Sequence, residues 1–372
     1  MKKFNRIFGT AATVAALLFS LTILSCSAAS DGPSVIAFPL PTTPEQTQTT
    51  TPTTPEQNNV QSTPVTLETP LTLEACVDGA VVTFVNKAAG SVTYKVKGGA
   101  AQTIASGATE NITLAAIGDK VEFWGDNKAY ATSTSNYSNI ACDKDCYVYG
   151  NIMSLIKSEG FENATALENA YTFAYLFQSN THIKNKSGAD LLLPATTLAD
   201  CCYYIMFCDC TSLTAAPDLP AATLAESCYN GMFYGCTGLT AAPSLPATTL
   251  ANYCYYNMFY GCTGLTTAPS LPATTLANHC YQYMFYGCAS LTAAPSLPAT
   301  SLATWCYDSM FYGCASLASV TCLATDISAS GCTKDWLLGV AATGTFTKAK
   351  NTDWSGKTGA SGIPSGWTVN NK

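Results

Sequence analysis

Between residues 193 and 322 the apolar and polar positions recur with a period of 26, five times over, without insertion or deletion. The third copy, residues 245–270, reads LPATTLANYCYYNMFYGCTGLTTAPS, and the others begin at Leu193, Leu219, Leu271 and Leu297. Counting from the first cysteine of each unit (Cys202, Cys228, Cys254, Cys280 and Cys306), Leu stands four before, Met four after and Phe five after in every copy. Apolar residues at i, i+4, i+8 and i+9 fall on one face of a helix, and with the neighbouring Tyr they fill about half of its circle. Thr248 and Thr249 offer an N-cap and Gly261 a stop. This half of the unit is therefore predicted helical.

The other half is predicted extended. Leu239, Ala242 and Leu245 point inward from a short segment, and a parallel ladder of such segments forms the second wall. Pro243, with its counterparts at 217, 269 and 295, has no N–H to give a ladder. The wall is thus either very short strands broken at each proline or polyproline-like. One unit cannot bury its apolar face alone, so neighbours stack. Strands stack about 4.8 Å apart and helices need about 8–10 Å. The expected fold is a curved repeat solenoid of 26-residue units, each a short strand or extended segment plus a helix, with the helices on the convex side.

The flanks differ. Residues 1–25 have a basic start and an apolar core from Ala11 to Leu24, the pattern of an export signal. Ile23-Leu24-Ser25-Cys26 fits a lipobox, with Cys26 lipidated. Residues 26–70 are rich in Pro and Thr and repeat Thr-Thr-Pro-Glu-Gln, as a disordered tether does. Residues 71–140 alternate in short runs such as Val81 to Val85 and Lys120 to Gly125, separated by Gly, Asn and Asp. They are predicted to form a small, immunoglobulin-like β-sandwich that serves as a spacer and covers one solenoid end. Residues 141–192 read as a degenerate N-terminal capping repeat and 323–372 as a degenerate capping repeat with a C-terminal tail.

The recurring Met-Phe-x-Gly-Cys-x-x-Leu-Thr followed by Leu-Pro resembles the BspA-type leucine-rich repeat proteins, over about residues 146–348. The resemblance implies five leucine-rich repeats at 193–322 in a bacterial lipoprotein of the outer membrane or cell surface. It further implies adhesin-like binding of host or bacterial surface proteins. The unit here is longer than the family's and carries a proline in the strand.

Charge and cysteines narrow the picture. The chain has 17 basic and 24 acidic residues for a net charge of −7; without the three cations of residues 1–25, 14 Lys face 24 acids. The five repeats contain no Lys or Arg. Nucleic acid, which needs phosphate-neutralising cations, is excluded as a partner. Eleven of the 18 cysteines lie on two ladders: 202, 228, 254, 280, 306, 332 and 210, 236, 262, 288, 314. Eight residues of helix place the ladders about 12 Å apart, beyond bridging reach, so both are read as buried thiols. Disulfides, expected in an exported chain, fall to Cys76, Cys142, Cys146, Cys201, Cys208 and Cys322. The cluster from Cys201 to Cys210 lacks a paired CxxC and a nearby His, so packing is preferred to a metal.

No catalytic fingerprint, cofactor motif or metal-ligand pattern is present, so a non-enzymatic binding protein is expected, with its membrane contact through the lipid anchor. A glycan module is the alternative, using the tyrosine rows beginning at Tyr203 and Tyr234; a structural coat lipoprotein without ligand is another. Slots −2, −1, +2 and +3 around the first cysteine differ sharply between copies, in contrast to the uniform second wall. Exposed Tyr, Trp, Asn and His suit adaptable recognition. The candidate ligand-binding residues are Tyr253, Tyr256, His279, Tyr283 and Trp305, expected on the convex helix face.

Overall fold

A computed structural model of the chain describes residues 66–350, 352–357 and 359–372. The expected export signal, the expected lipidation site Cys26 and nearly all of the expected tether lie outside the described residues. No helix among those described is long and apolar enough to cross a membrane.

The chain enters a two-sheet β-sandwich. Its strands are β1 (Leu71–Ala75), β2 (Ala80–Val85), β3 (Val92–Val96), β4 (Gln102–Ile104), β5 (Thr109–Leu114), β6 (Lys120–Gly125), β7 (Ala131–Ser133), β8 (Asn136–Tyr137), β9 (Asn139–Cys142) and β10 (Cys146–Asn151). One sheet runs β4-β3-β6-β1-β10 and the other β5-β2-β9, all antiparallel; β7 and β8 form a separate pair. Strand β2 alternates buried and half-buried residues, the period-two signature of a strand with one covered face. Phe84 of one sheet meets Phe123 of the other, ring centroids 5.3 Å apart. Strand β10 then acts as the first rung of a different structure, pairing in parallel with β11 (Ile183–Lys184) and β12 (Leu191–Leu192).

From there the 26-residue units stack, but not as helix and strand. Among the described residues there is no α-helix, only 3-10 turns at Ile152–Leu155, Phe161–Asn163 and Gly359–Ser361. The expected leucine-rich-repeat array of strand plus helix is therefore wrong. The segment expected to be helical is a ribbon of consecutive β-turns. In the second copy the amides of Cys228, Asn230, Met232, Tyr234 and Cys236 close turns on carbonyls three residues back, 3.1–3.4 Å away. The intervening amides of Ser227, Tyr229, Gly231, Phe233 and Gly235 donate to carbonyls 25 residues on, in the next coil, at 2.7–3.1 Å. Every amide of the ribbon is thus used, half within the coil and half between coils.

This geometry needs a left-handed residue every fourth position. Ser227, Gly231 and Gly235 have φ of 53°, 61° and 69°, as the third residue of a type II turn requires. The buried positions follow the same count: first cysteine and Tyr, then Met and Phe four on, then the second cysteine, all at 0–1% exposure in copies two to five. A four-residue period departs from the helical 3.6 by less than one residue over two turns, so nine residues of pattern cannot separate them.

The opposite wall is extended and parallel but barely laddered. Isolated bridges join Ala215 to Ala241, Ala241 to Thr267 and Thr223 to Thr249. The recurring prolines break it; toward the C-terminal end β13 (Ser296–Leu297), set between Pro295 and Pro298, pairs with β14 (Ser319–Cys322), which continues through β15 (Gly344–Lys348) and β16 (Trp367–Asn371), strands that hold no proline. Because both walls are tied by inter-coil hydrogen bonds, both rise by the strand spacing of about 4.8 Å. The mismatch between helix and strand spacing, which was the reason to expect curvature and a convex helix face, does not exist.

One file of stacked rings runs through the core: Tyr130, Phe173, Tyr203, Tyr229, Tyr255, Tyr281, Tyr307, Trp336 and Trp354, with centroids 5.5–6.2 Å apart. A second, of Phe, runs from Phe177 to Phe311 at 5.5–5.7 Å. The ends are closed by other parts of the chain. Sandwich amides of Tyr130 and Ile140 donate to the carbonyls of Thr172 and Leu176 in the first coil, at 2.8 and 2.7 Å. At the far end Trp336 Nε1 donates to the Gly362 carbonyl at 3.0 Å beneath Trp354.

The cysteines of both ladders are buried free thiols, and so are Cys142, Cys146, Cys201, Cys208 and Cys322; Cys76 is free and half-buried. The disulfides expected in the off-ladder set do not form in this structure. The second ladder also bonds: Cys236, Cys262, Cys288 and Cys314 each donate Sγ–H to a Phe carbonyl of the preceding coil at 3.0–3.1 Å.

Candidate functional site

The turn ribbon turns residues outward in pairs. With slots 0, +1, +4 and +5 buried, slots −2, −1, +2, +3, +6 and +7 form the outer face. Slots −1, +3 and +7 are the left-handed ones, and Gly or Asp holds the last in all five copies (Asp209, Gly235, Gly261, Gly287, Gly313). Slots −1 and +3, Gly231 and Asn257 aside, hold less suitable residues. Tyr253, His279, Tyr283 and Trp305 have φ of 56–58°, a conformation that costs a bulky residue about 1–2 kcal/mol. Of the five candidate residues, only Tyr256 escapes it. Strain of this kind is a reason to look for function at the residues that bear it.

All five candidate residues are half-buried, and the fold brings them together, though on a ribbon and not on a helix. Tyr253 stacks on His279 at 4.4 Å and His279 on Trp305 at 6.4 Å, both within 11° of parallel. Tyr256 meets Tyr253 and Tyr283 edge-on at 5.7 and 5.6 Å. Tyr283 in turn meets Tyr286 at 6.0 Å, which joins the patch to the row Tyr234, Tyr260, Tyr286, Tyr312, stacked at 4.5–4.6 Å. The result is one aromatic surface across coils two to five. Trp305 lies flat over Gly331, where a Cβ would come within 2.4 Å of its ring.

Beneath the rings runs a polar chain that the sequence reading did not select. Gln282 Oε1 is 2.5 Å from His279 Nδ1, Gln282 Nε2 donates to Asp308 Oδ2 at 2.5 Å, and Ser309 donates to Asp308 Oδ1 at 3.1 Å. Asp308 is buried, and burial raises its carboxyl above the usual range, against the pull of Gln282, Ser309 and Lys334. Gln282 and Asp308 occupy the same slot, +2, in successive copies; in-register stacking was the signal that would have paired them. Outside the rings, Asn252 and Asn278 each accept from the next coil's backbone, at Asn278 and Thr304, 3.2 Å away in both cases. Asp200 does the same for Glu226 at 3.0 Å.

The two tyrosine rows differ. The row from Tyr203 to Tyr307 is at most 1% exposed and belongs to the core. The row from Tyr234 to Tyr312 is half-buried, but its rings lie within 7° of parallel and cover one another's faces. Elsewhere, a shallow cleft in the sandwich is lined by Lys120, Tyr149 and Lys186. Its chemistry is consumed internally: Lys186 Nζ bonds Glu74 at 2.6 Å and Tyr149 donates to Glu74 at 2.7 Å. His182 sits beside Asp145 at 3.0 Å, in a pair completed by Lys184. No family model, curated protein or solved structure matches this chain.

Proposed function

We propose that this chain is a surface-exposed bacterial lipoprotein, held in the outer membrane or at the cell surface by a lipid on Cys26, that acts as a non-enzymatic, adhesin-like binding protein. Its partners are proteins on host or bacterial surfaces. One observation carries the reading: five residues that vary from copy to copy converge into a single aromatic surface, four of them in a backbone conformation that disfavours them. A structural stack alone would be better served there by the glycine found at Gly231 and Gly331. The motif resemblance to BspA-type surface proteins supports the class, though not the fold.

A protein partner is preferred to a glycan. Sugar rings pack on aromatic faces. The Tyr203 row is inside the core, and the rings of the Tyr234 row cover one another's faces. The deciding experiment displays residues 27–372 against surface proteins of host cells and compares two sets of variants. Replacement of Tyr253, Tyr256, His279, Tyr283 and Trp305 by Ala is expected to abolish binding. Replacement of Thr240, Thr266 and Thr292 on the opposite wall is expected to leave it intact. The reverse pattern moves the site to the other wall and ends this reading. The anchor has its own test: Cys26→Ala protein should leave the membrane fraction.

A further inference from the structure

The aromatic surface already holds one cation of the chain's own. Lys334 Nζ lies 5.3 Å from the Trp305 ring centroid, and its charge acts on the buried Asp308 carboxyl. An ammonium over an electron-rich ring with a carboxylate behind it is a mutually supporting arrangement, since ring quadrupole and acid attract the same charge. Lys334 belongs to the capping unit; the five repeats supply no Lys or Arg of their own.

The far end of the same ring stack offers matching chemistry without a matching cation from its own coils. Tyr253 ends the stack, because the preceding coil has Ser227 in its slot, and Tyr256 stands beyond Asn230 in the same way. Glu226, exposed on that preceding coil, supplies the acid. Burial raises the Tyr253 hydroxyl above its ordinary value and Glu226 adds to the shift. Burial followed by Asp308 pushes Tyr283 up to about 12. At this end the negative charge comes from Glu226, and the repeats hold no Lys or Arg to offset it, whereas Lys334 offsets Asp308 at the other end. Neutral or anionic ligands gain nothing from this, and a cation gains from both the rings and the acid.

Building on the binding function proposed above, we propose that Tyr253 and Tyr256, with Glu226, form the receiving site for a lysine or arginine side chain of a protein partner, the counterpart of Lys334 on Trp305. The recognised feature is a basic segment of the partner, read by cation–π contact and one carboxylate.

The test uses residues 27–372 and a biotinylated lysine-containing peptide, alongside the same peptide with every lysine Nε-acetylated. The unmodified peptide should bind and the acetylated one should not. Tyr253→Ala with Tyr256→Ala changes no charge and should weaken binding by at least about tenfold, since loss of two cation–π contacts is of that order. Glu226→Gln should weaken it more than Asp218→Asn, which removes the same charge from the extended wall. Circular dichroism and the unfolding midpoint establish that each variant is folded. Equal binding of the acetylated peptide, unchanged binding by the double tyrosine variant, or equal effects of Glu226→Gln and Asp218→Asn would each overturn the proposal. If the five-residue variant loses host-surface binding while the tyrosine pair proves indifferent to lysine, the cation site falls and the binding function stands.

Discussion

The inner and outer faces of the turn ribbon use the same kind of side chain to opposite ends. Inside, Tyr255 and Phe259 sit in files whose every position is the same residue in all five copies. Outside, on the same ribbon, Tyr253 stacks with His279 and Trp305 while Tyr256 and Tyr283 meet edge-on, and the preceding coils hold Ser227, Asn230 and Gly231 in the same slots. An inner ring is clamped by identical rings above and below at one coil spacing, so a change in one copy leaves a void in three. An outer ring borders solvent; loss of Tyr283 costs two edge-on contacts and relieves a strained backbone. The comparison teaches that uniformity in this repeat measures packing, whereas variation marks positions free to acquire a partner.

The largest effect expected is on the inner face. Phe259→Ala removes a fully buried ring stacked on Phe233 and Phe285 and should cost about 3–5 kcal/mol in denaturant unfolding. Its neighbour Tyr260 loses a stacked but half-exposed ring, so Tyr260→Ala should cost about 0.5–1.5 kcal/mol. Equal costs would mean that the two faces are not physically distinct. Thiol chemistry sharpens the same contrast. Burial pushes the Cys254 thiol up to about 12 and raises Cys262 as well, so neither should react with iodoacetamide at neutral pH until the coil opens. Mass spectrometry that finds either alkylated in the native protein contradicts their inward placement.

A smaller effect separates the left-handed positions. Gly261 has φ +70°, and a Cβ there would meet the Gly235 Cα at 3.9 Å, an ordinary contact, so Gly261→Ala costs mainly the conformational penalty, about 1–2 kcal/mol. Tyr283→Gly relieves a penalty of the same origin while losing two edge-on ring contacts. It should leave the unfolding free energy within about 1 kcal/mol of the parent and still abolish surface binding. A large loss of stability in Tyr283→Gly would show that the strained tyrosine is structural.

The register of the coils was legible in the sequence, because a 26-residue identity leaves one way to superpose Cys254 on Cys280. The helix was not there to be found. Leu250, Cys254, Met258 and Phe259 satisfy a period of 4 as well as one of 3.6, and the inter-coil hydrogen bonds that decide between them join residues 25 apart. The contrary signal was the glycine or asparagine at Gly231 and Asn257, in the middle of the expected helix and four before Gly235 and Gly261. A helix pays for glycine there, but a left-handed turn position wants it. The candidate residues share one outer face in spite of the wrong secondary structure because slots −1, +2 and +3 turn away from Cys, Met and Phe under either period. The Asp308–Gln282–His279 chain escaped notice because a helix would have placed the stacking neighbours about twice as far apart.

The smallest effect concerns that chain and depends on pH. Asp308 is buried beneath the outer rings, and desolvation holds its folded pKa above the unfolded value despite Gln282, Ser309 and Lys334. A carboxyl with a raised folded pKa binds its proton more readily when folded. Between the ordinary carboxylate pKa and the raised one, stability therefore increases as pH falls, and above the raised value the ionised acid destabilises the fold. Asp308→Asn keeps a polar group beside Gln282 and removes the charge. The variant should be slightly more stable than the parent at neutral pH, and the difference should shrink as pH is lowered through that window. Unfolding midpoints measured from neutral to mildly acid pH decide it. A variant less stable at neutral pH, with a gap that widens on acidification, would show that the outer face is held together by the Asp308 charge and not merely tolerant of it.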